Sequence, residues 1–193
     1  MLNEPGLPAV VAGVTQSRLA EAASRGDREA FGRLVLEHAL TARRVAYSVL
    51  GNWDEAEDVV QDAALAAWQA VERYDPARSF RPWFLRIVAN ASLDQLRRRR
   101  VRKAEPLTEA EPHRGPMPDH EAERAVLRDH LDRALATLPE RQRIAVTMFD
   151  VEGLSHAEIA QSLGVPEGTV RSYVFHARRA LRRVLSSVME GTP

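Results

Sequence analysis

Two helices joined by a tight turn are predicted near the C-terminal end of the chain, and this pattern constrains the fold more than any other. Ser155 and Glu158 have the spacing of a capping box, in which each residue satisfies a free backbone N–H of the other. Gly164 stands where a helix needs a left-handed stop. A longer amphipathic helix follows, because apolar residues repeat at three- and four-residue steps. They are Val170, Val174, Ala177, Leu181 and Leu185. The short turn is typical of a helix-turn-helix that reads DNA.

The longer helix carries basic charge only. No acidic residue lies between Glu167 and Glu190, whereas five arginines do. They are Arg171, Arg178, Arg179, Arg182 and Arg183. A cationic helix behind a tight turn is suited to the major groove and to phosphates. The alternative is an ordinary solvated helix whose basic end is favoured by the helix dipole. The turn, the cap and the charge asymmetry together favour DNA binding.

Composition excludes several classes of function. The 193-residue chain has no cysteine, which excludes disulfides, thiolate metal sites and cysteine nucleophiles. The six histidines are scattered, and no pair has the spacing of a zinc-binding helix. No nucleophile–base arrangement is visible. We therefore expect no metal, no cofactor and no catalytic residue. No apolar stretch is long enough to span a bilayer, and the first residues do not resemble a signal peptide, so a cytoplasmic protein is expected.

The formal net charge of zero hides two opposed charged blocks. Residues 54–62 contain five acidic residues and no Lys or Arg, whereas residues 97–103 are almost entirely basic. Such opposed blocks indicate two kinds of partner. The helix dipole favours carboxylates early in a helix, which accounts for part of the acidic block. However, Asp62 lies beyond the first turn and shares a face with Asp58 and Gln61, which favours a partner-binding surface.

The fold class is predicted to be all-α, with two small helical domains joined by a Pro-rich linker. Residues 1–17 are expected to be a flexible extension, and residues 18–103 form the first domain. Residues 104–120 contain four prolines and are expected to be an extended, semi-stiff linker. Residues 121–188 form the second domain, which contains the helix-turn-helix.

An aromatic and basic segment ends the first domain. Trp83 and Phe84 are followed by Arg86 and then by the arginines of residues 97–103. Single-stranded nucleic acid is bound by aromatic rings that stack on bases and by cations that pair with phosphates. For Trp83 and Phe84, packing in the core is favoured over exposed stacking. The run of like charges repels itself and indicates an anionic partner.

The chain resembles the bacterial RNA polymerase sigma factors, in their extracytoplasmic-function branch. Four segments carry the resemblance, in the family's order. They are residues 26–31 (GDREAF), 54–68 (DEAEDVVQD followed by AW), 80–98 (FRPWFLRIVAN through LRR) and 138–181, the helix-turn-helix. Four ordered segments around a linker are far more specific than a single helix-turn-helix.

The resemblance implies three binding surfaces and no catalysis. The first docks on core RNA polymerase, at the clamp helices of its largest subunit: Asp54, Glu57, Asp58, Gln61 and Asp62. The second holds the non-template strand of the minus-ten element: Trp83, Arg86, Asn90, Asp94, Arg97, Arg98, Arg99 and Arg100. The third reads the minus-thirty-five element as duplex: Arg171, Ser172, Phe175, His176, Arg178 and Arg179. The resemblance also implies contact with the flap of the second polymerase subunit, and restraint by an anti-sigma factor. Promoter DNA is then bound by two tethered modules, and a preference for single strand favours melting.

Two residues depart from the family's sequence pattern, and two other classes of function are alternatives to a sigma factor. Tyr173 replaces the family's usual basic residue, which is expected to alter promoter preference. Ala64 replaces a common bulky apolar residue and is expected to loosen local packing. A stand-alone DNA-binding regulator would leave the acidic and aromatic segments without a purpose. A recombinase or nuclease would need a catalytic arrangement that the sequence does not show, since Asp58 and Asp62 lack a third ligand.

Overall fold

The computed structural model describes residues 7–104 and 130–190. These residues contain helices and no strand, which confirms the predicted all-α class. The first helical unit comprises α1 (Leu7–Ser24), α2 (Arg28–Leu50), α3 (Trp53–Ala70), a short 3₁₀ turn (Val71–Arg73) and α4 (Phe80–Ala104). The second helical unit comprises α5 (residues 130–136), α6 (Glu140–Val146), a π-helical turn (Thr147–Val151), α7 (His156–Leu163) and α8 (Glu167–Glu190).

The predicted boundaries of two segments differ from the observed helix ends. α1 begins at Leu7, so the helix starts inside the segment expected to be flexible. α4 continues to Ala104, where the linker was expected to begin. The remainder of that predicted linker lies outside the described residues.

Polar caps and glycines set the helix ends in the first unit. Asp27 Oδ1 accepts hydrogen bonds from the backbone N–H groups of Glu29 and Ala30, at 2.9 and 3.0 Å, and so starts α2. Gly51 adopts a left-handed conformation (φ 69°) and donates to the carbonyl of Tyr47, which ends the helix. The Asn52 side chain then accepts from the N–H of Glu55 and starts α3. The chain therefore reverses between α2 and α3 within two residues.

An aromatic cluster fills the core of the first unit. The ring of Phe80 lies 5.9 Å from Phe31, 5.7 Å from Tyr74 and 5.4 Å from Trp83, measured between centroids. Phe84 is fully buried and Trp83 is half-buried against this cluster, so the predicted preference for core packing is confirmed for both. Burial also raises the pKa of Tyr74 to about 12, with a smaller contribution from the nearby charge of Asp75.

The second unit contains the predicted helix-turn-helix. Ser155 Oγ accepts from the N–H of Glu158, and Glu158 Oε2 accepts from the N–H of Ser155, so the capping box is confirmed. Gly164 ends α7 with φ 64°, as its position predicted. Ile159 and Val170 are fully buried and join α7 to α8.

The two units pack directly on each other. Leu85 of α4 and Ile144, Met148 and Ile159 of the second unit belong to one continuous cluster of buried apolar side chains. The helix-turn-helix is therefore positioned against α4 within the part of the chain that the structure describes.

Candidate protein-binding and nucleic-acid-binding surfaces

The acidic residues of α3 form an exposed surface. Asp54, Asp58, Gln61 and Asp62 are all exposed, and we call them the acidic face. Glu57 differs, because its carboxylate accepts a hydrogen bond from Arg43 of α2 at 2.7 Å. The helix presents this face because Val59, Val60 and Ala63 are buried on its other side. The arrangement leaves these four polar side chains accessible to solvent.

The three side chains near the start of α4 that were predicted to contact nucleic acid lie in different environments. Trp83 packs its ring 4.8 Å from that of Tyr74, so only part of the indole is exposed. Asn90 is exposed. The Arg86 guanidinium lies against the turn of the helix-turn-helix, with Nη2 3.4 Å from the place that a Cβ on Gly164 would take. Arg86 therefore contacts the second unit, which the sequence did not predict.

The basic end of α4 divides into exposed and engaged arginines. Arg98 is exposed, and Arg97 is exposed while pairing with Asp94 on the same helix. Arg99 is only partly exposed: its Nη1 donates to the carbonyl of Leu50 at 3.2 Å, and its ion pair with Glu55 spans 3.6 Å. Arg100 pairs with Glu140 of α6. The predicted single basic patch therefore includes one side chain bound to the end of α2 and one bound to the second unit.

α8 presents an open basic face. Most of the side chains predicted to read DNA are exposed on it: Arg171, Ser172, Phe175, His176 and Arg179. Phe175 keeps 62% of its surface exposed, although it is a large apolar residue. The ring of His176 lies 5.4 Å from that of Phe175, at a nearly perpendicular angle. Phe175 and His176 therefore lie together on the exposed face of α8.

Arg178 is held against the π-helical turn. Its Nε donates to Asp150 Oδ2 at 2.9 Å, and its guanidinium lies 5.0 Å from the centroid of the Phe149 ring. The hydrogen bond to Asp150 raises the pKa of Arg178. The ring of Phe149 also stacks on His156, with centroids 4.4 Å apart. Phe149 and His156 thus line a groove of about 660 Å³ beside the arginines of α8, and neither was among the predicted contacts.

Tyr173 lies on the side of α8 that faces α4. It is partly buried against the shared core and lines a groove of about 460 Å³ together with Leu93 and Leu96 of α4. Tyr173 therefore contributes to the packing between the units, and its expected effect on promoter preference stays a prediction. The spacing of residues along α8 did not predict this contact of Tyr173 with α4.

Two absences hold for the described residues. Across residues 7–104 and 130–190, no group of three His, Asp or Glu side chains is arranged to hold a metal ion. Over the same residues, no helix is both long enough and apolar enough to cross a bilayer.

Comparison with known families identifies the two helical units. A family model described as "Sigma-70 region 2" matches residues 34–102, and one described as "Sigma-70, region 4" matches residues 128–181. The ECF RNA polymerase sigma factor SigM of Mycobacterium tuberculosis is 39% identical over 168 residues, which cover 86% of this chain and 82% of SigM. The ECF RNA polymerase sigma factor SigE of Mycolicibacterium smegmatis is 38% identical over 167 residues, covering 83% of this chain and 65% of SigE.

Solved structures agree with these sequence relatives. CnrH, in complex with the cytosolic domain of CnrY, superimposes with a TM-score of 0.70 at 28% identity, covering 90% of this chain and 98% of CnrH. The sigma factor RpoE of Bartonella quintana, in complex with the anti-sigma factor NepR, gives a TM-score of 0.68 at 26% identity, covering 81% and 96% of the two chains. The fold and the two family matches define a sigma factor of the sigma-70 type. Within that class the chain belongs to the ECF RNA polymerase sigma factors, proteins that direct RNA polymerase to promoters at the start of transcription.

Proposed function

We propose that the acidic face is the surface through which this sigma factor docks on core RNA polymerase, at the clamp helices of the largest subunit. The observation that carries this assignment is the exposure of Asp54, Asp58, Gln61 and Asp62 on one helix whose opposite side is buried. Glu57 supports the surface through its ion pair with Arg43. The second unit contacts the flap of the second polymerase subunit. In this assignment residues 18–103 form the polymerase-binding domain, 104–120 the linker and 121–188 the helix-turn-helix domain.

The α4 helix holds the non-template strand of the minus-ten element. Trp83, Asn90 and Arg98 offer a partly exposed ring, an amide and an exposed cation along one helix. A ring and a cation are the groups that stack on unpaired bases and pair with phosphates. Because this surface binds single strand better than duplex, binding shifts the promoter toward its melted state.

The exposed face of α8 reads the minus-thirty-five element as duplex. Arg171 and Arg179 supply donors for base edges and phosphates, and Phe175 supplies an apolar contact such as a thymine methyl group. Two modules that bind two DNA elements on one polymerase raise each other's effective concentration. The spacing between the elements thereby becomes part of promoter specificity.

The chain contributes binding and no covalent chemistry, since nucleotidyl transfer belongs to the polymerase. It acts in the cytoplasm, with the polymerase. The solved structures of CnrH with CnrY and of RpoE with NepR support a similar partner for this chain, an anti-sigma factor that covers the polymerase-binding and DNA-binding surfaces. A stand-alone regulator is the weaker alternative, because it leaves the acidic face without a role.

Co-elution with sigma-free bacterial core polymerase in size-exclusion chromatography tests the docking surface. The native chain is expected to co-elute, and the double variant Asp58→Lys and Asp62→Lys is expected to elute separately. The matched control, Glu21→Lys and Glu72→Lys, changes the charge equally at exposed acids outside α3 and is expected to co-elute. Equal loss in both double variants would indicate a general charge effect. Co-elution of both double variants would remove the docking assignment, and a folded native chain that never co-elutes would favour the stand-alone regulator.

A further inference from the structure

We propose that Asp150 limits the hold of α8 on duplex DNA by withholding Arg178 from the phosphates. The family resemblance implied that Arg178 is a duplex contact, like its neighbour Arg179. Arg178 instead joins α8 to the π-helical turn, and it adds to DNA binding only when Asp150 releases it. This role of Asp150 rests on the duplex-reading function proposed for α8.

Two consecutive residues of the π-helical turn hold the guanidinium of Arg178. Its Nε donates to Asp150 Oδ2 at 2.9 Å, and its Nη2 donates to Asp150 Oδ1. Two parallel hydrogen bonds to one carboxylate fix both the position and the orientation of an arginine. The central carbon of the guanidinium also lies 5.0 Å from the centroid of the Phe149 ring, within the range of a cation–π contact. Arg178 is therefore held by a charge and by an aromatic ring at once.

The turn that holds Arg178 is itself anchored on both sides of Asp150. Before it, the ring of Phe149 stacks on His156 of α7, with centroids 4.4 Å apart and planes at 28°. After it, Glu152 Oε2 accepts a hydrogen bond from Thr41 Oγ1 of the first unit at 2.7 Å. Because the backbone at Asp150 is held in this way, Arg178 must leave the carboxylate in order to pair with a phosphate.

Arg171 is an arginine of α8 with a looser ion pair. Its Nη2 donates to Oε1 of Glu167, four residues earlier on the same helix. Those two side chains are 64% and 44% exposed, against 51% and 34% for Arg178 and Asp150. Exposed pairs are weak and are screened by salt, so a phosphate can replace Glu167 at little cost. The two hydrogen bonds of Arg178, together with its contact with Phe149, make the same exchange less favourable.

The pairing of Arg178 changes what it offers to DNA. Sequence-independent affinity for duplex grows with the number of phosphates that a protein's cations neutralise, since each contact releases counterions. Arg178 and Asp150 are neutral as a pair, and the carboxylate itself repels phosphate. Arg178 nevertheless lines the groove of about 660 Å³ that Arg171 and Arg179 also line, so its release would add a cation beside the proposed duplex contacts. Asp150 thereby reduces the number of phosphates that α8 engages.

The salt dependence of duplex binding by the full chain tests this role. The probe is a short random-sequence duplex, and fluorescence anisotropy gives the affinity at several salt concentrations. Arg178→Met is expected to leave the slope of log affinity against log salt unchanged, whereas Arg179→Met makes it less steep by about 0.9, the value for one phosphate contact. Methionine keeps an apolar contact with the Phe149 ring. An equal decrease in slope for both variants would overturn the proposal, because Arg178 would then contact phosphate in the native chain.

Asp150→Asn releases Arg178 with little change in side-chain shape. This variant is expected to bind the duplex more tightly and to steepen the slope by about 0.9, because one further phosphate is engaged. Glu21→Gln is the matched control, since it removes one negative charge from an exposed position of α1, and it is expected to behave as the native chain. A slope for Asp150→Asn equal to that of Glu21→Gln would overturn the proposal.

The double variant Asp150→Asn and Arg178→Met separates the release of Arg178 from the electrostatic field of the carboxylate. If Asp150 acts through Arg178, the double variant has the same slope as Arg178→Met alone. A steeper slope in the double variant would overturn the proposal, because loss of the carboxylate would then be sufficient by itself. Circular dichroism establishes that each variant is folded. A folded native chain that binds no duplex would overturn the duplex-reading role of α8 together with the role of Asp150.

Discussion

Arg143 Nη1 donates a hydrogen bond to the carbonyl oxygen of Ser48 at 3.1 Å, although the two residues are 95 positions apart. The same guanidinium donates to the carbonyl groups of Ala136 and Leu138 at 3.1 and 2.9 Å. It therefore caps the end of α2 and the connection before α6 at once. Burial lowers the pKa of Arg143, while the nearby charge of Glu140 acts in the opposite direction.

Replacing Arg143 by Met is expected to destabilise the chain. The aliphatic stem is retained, while the carbonyl groups lose a charged donor, and a hydrogen bond to a charged group contributes roughly 1.5–3 kcal/mol. Arg141→Met on the same helix is the control, because Arg141 is exposed and donates to the Leu163 carbonyl at 3.3 Å. Urea unfolding should give a clearly larger loss of unfolding free energy for Arg143→Met. Equal losses would contradict the capping role.

The capping box of α7 makes a second stability prediction. Ser155→Ala removes the acceptor for the Glu158 N–H, and loss of such a cap costs about 1 kcal/mol. Ser172→Ala, at an exposed position within α8, is the comparison for the same chemical change. Thermal unfolding should show a lower Tm for Ser155→Ala only. An unchanged Tm would mean that the helix start is determined by packing of Ile159 alone.

Two neighbouring arginines at the basic end of α4 are expected to have different roles, one in nucleic-acid binding and the other in stability. Arg98→Ala is expected to lower the slope of log affinity against log salt by about 0.7 for a single strand, because one phosphate contact is lost. Arg99→Ala is expected to leave that slope unchanged and to lower Tm, since Arg99 donates to the Leu50 carbonyl and pairs with Glu55. Binding titrations at several salt concentrations give the slopes. Identical slopes for both variants would contradict this division.

The open face of α8 predicts a loss of duplex binding without a loss of stability. Arg171→Ala and Arg179→Ala should each weaken binding to the upstream promoter element by about 1–3 kcal/mol if they read a base. Arg25→Ala and Arg33→Ala are the controls, because they remove equal charge from exposed positions in the first unit. Footprinting by the polymerase holoenzyme measures the effect. A footprint that is intact in the α8 variants would show that another surface reads the duplex.

The buried His38 predicts how stability depends on pH. Desolvation lowers its pKa below the ordinary value of 6.5, although the nearby charge of Glu37 acts in the opposite direction. The unfolded chain therefore binds a proton more readily than the folded chain below that pH, so the contribution of His38 to stability falls as the pH falls through 6.5 toward the folded-state pKa. His38→Gln removes this term. The difference in unfolding free energy between the native chain and the variant should shrink from pH 7.5 to pH 5.5; a constant difference would exclude the titration of His38 as its cause.

The sequence correctly predicted the structural features that depend on residues close together in the chain. The capping box, the stop at Gly164 and the exposed side of α3 follow from spacing, since each depends on residues within one or two helical turns. The contacts of Arg99, Tyr173 and Glu152 did not follow, because each depends on how distant segments pack. Arg99 has the same charge as its neighbours, and only the position of the Leu50 carbonyl distinguishes it. Sequence spacing thus predicted which side chains are exposed, whereas the three-dimensional structure shows which of them pair with distant segments.

The π-helical turn determines how α7 and α8 are rotated relative to α6. Asp150 within it holds Arg178 of α8, and Glu152 directly after it holds the first unit. Deleting one residue from Thr147–Val151 would restore α-helical geometry and rotate every later residue by about 100°, since an α-helix has 3.6 residues per turn. Neither carboxylate would then meet its partner. A one-residue deletion in this turn would consequently change two things at once, the orientation of α8 and the contacts of Glu152 with the first unit.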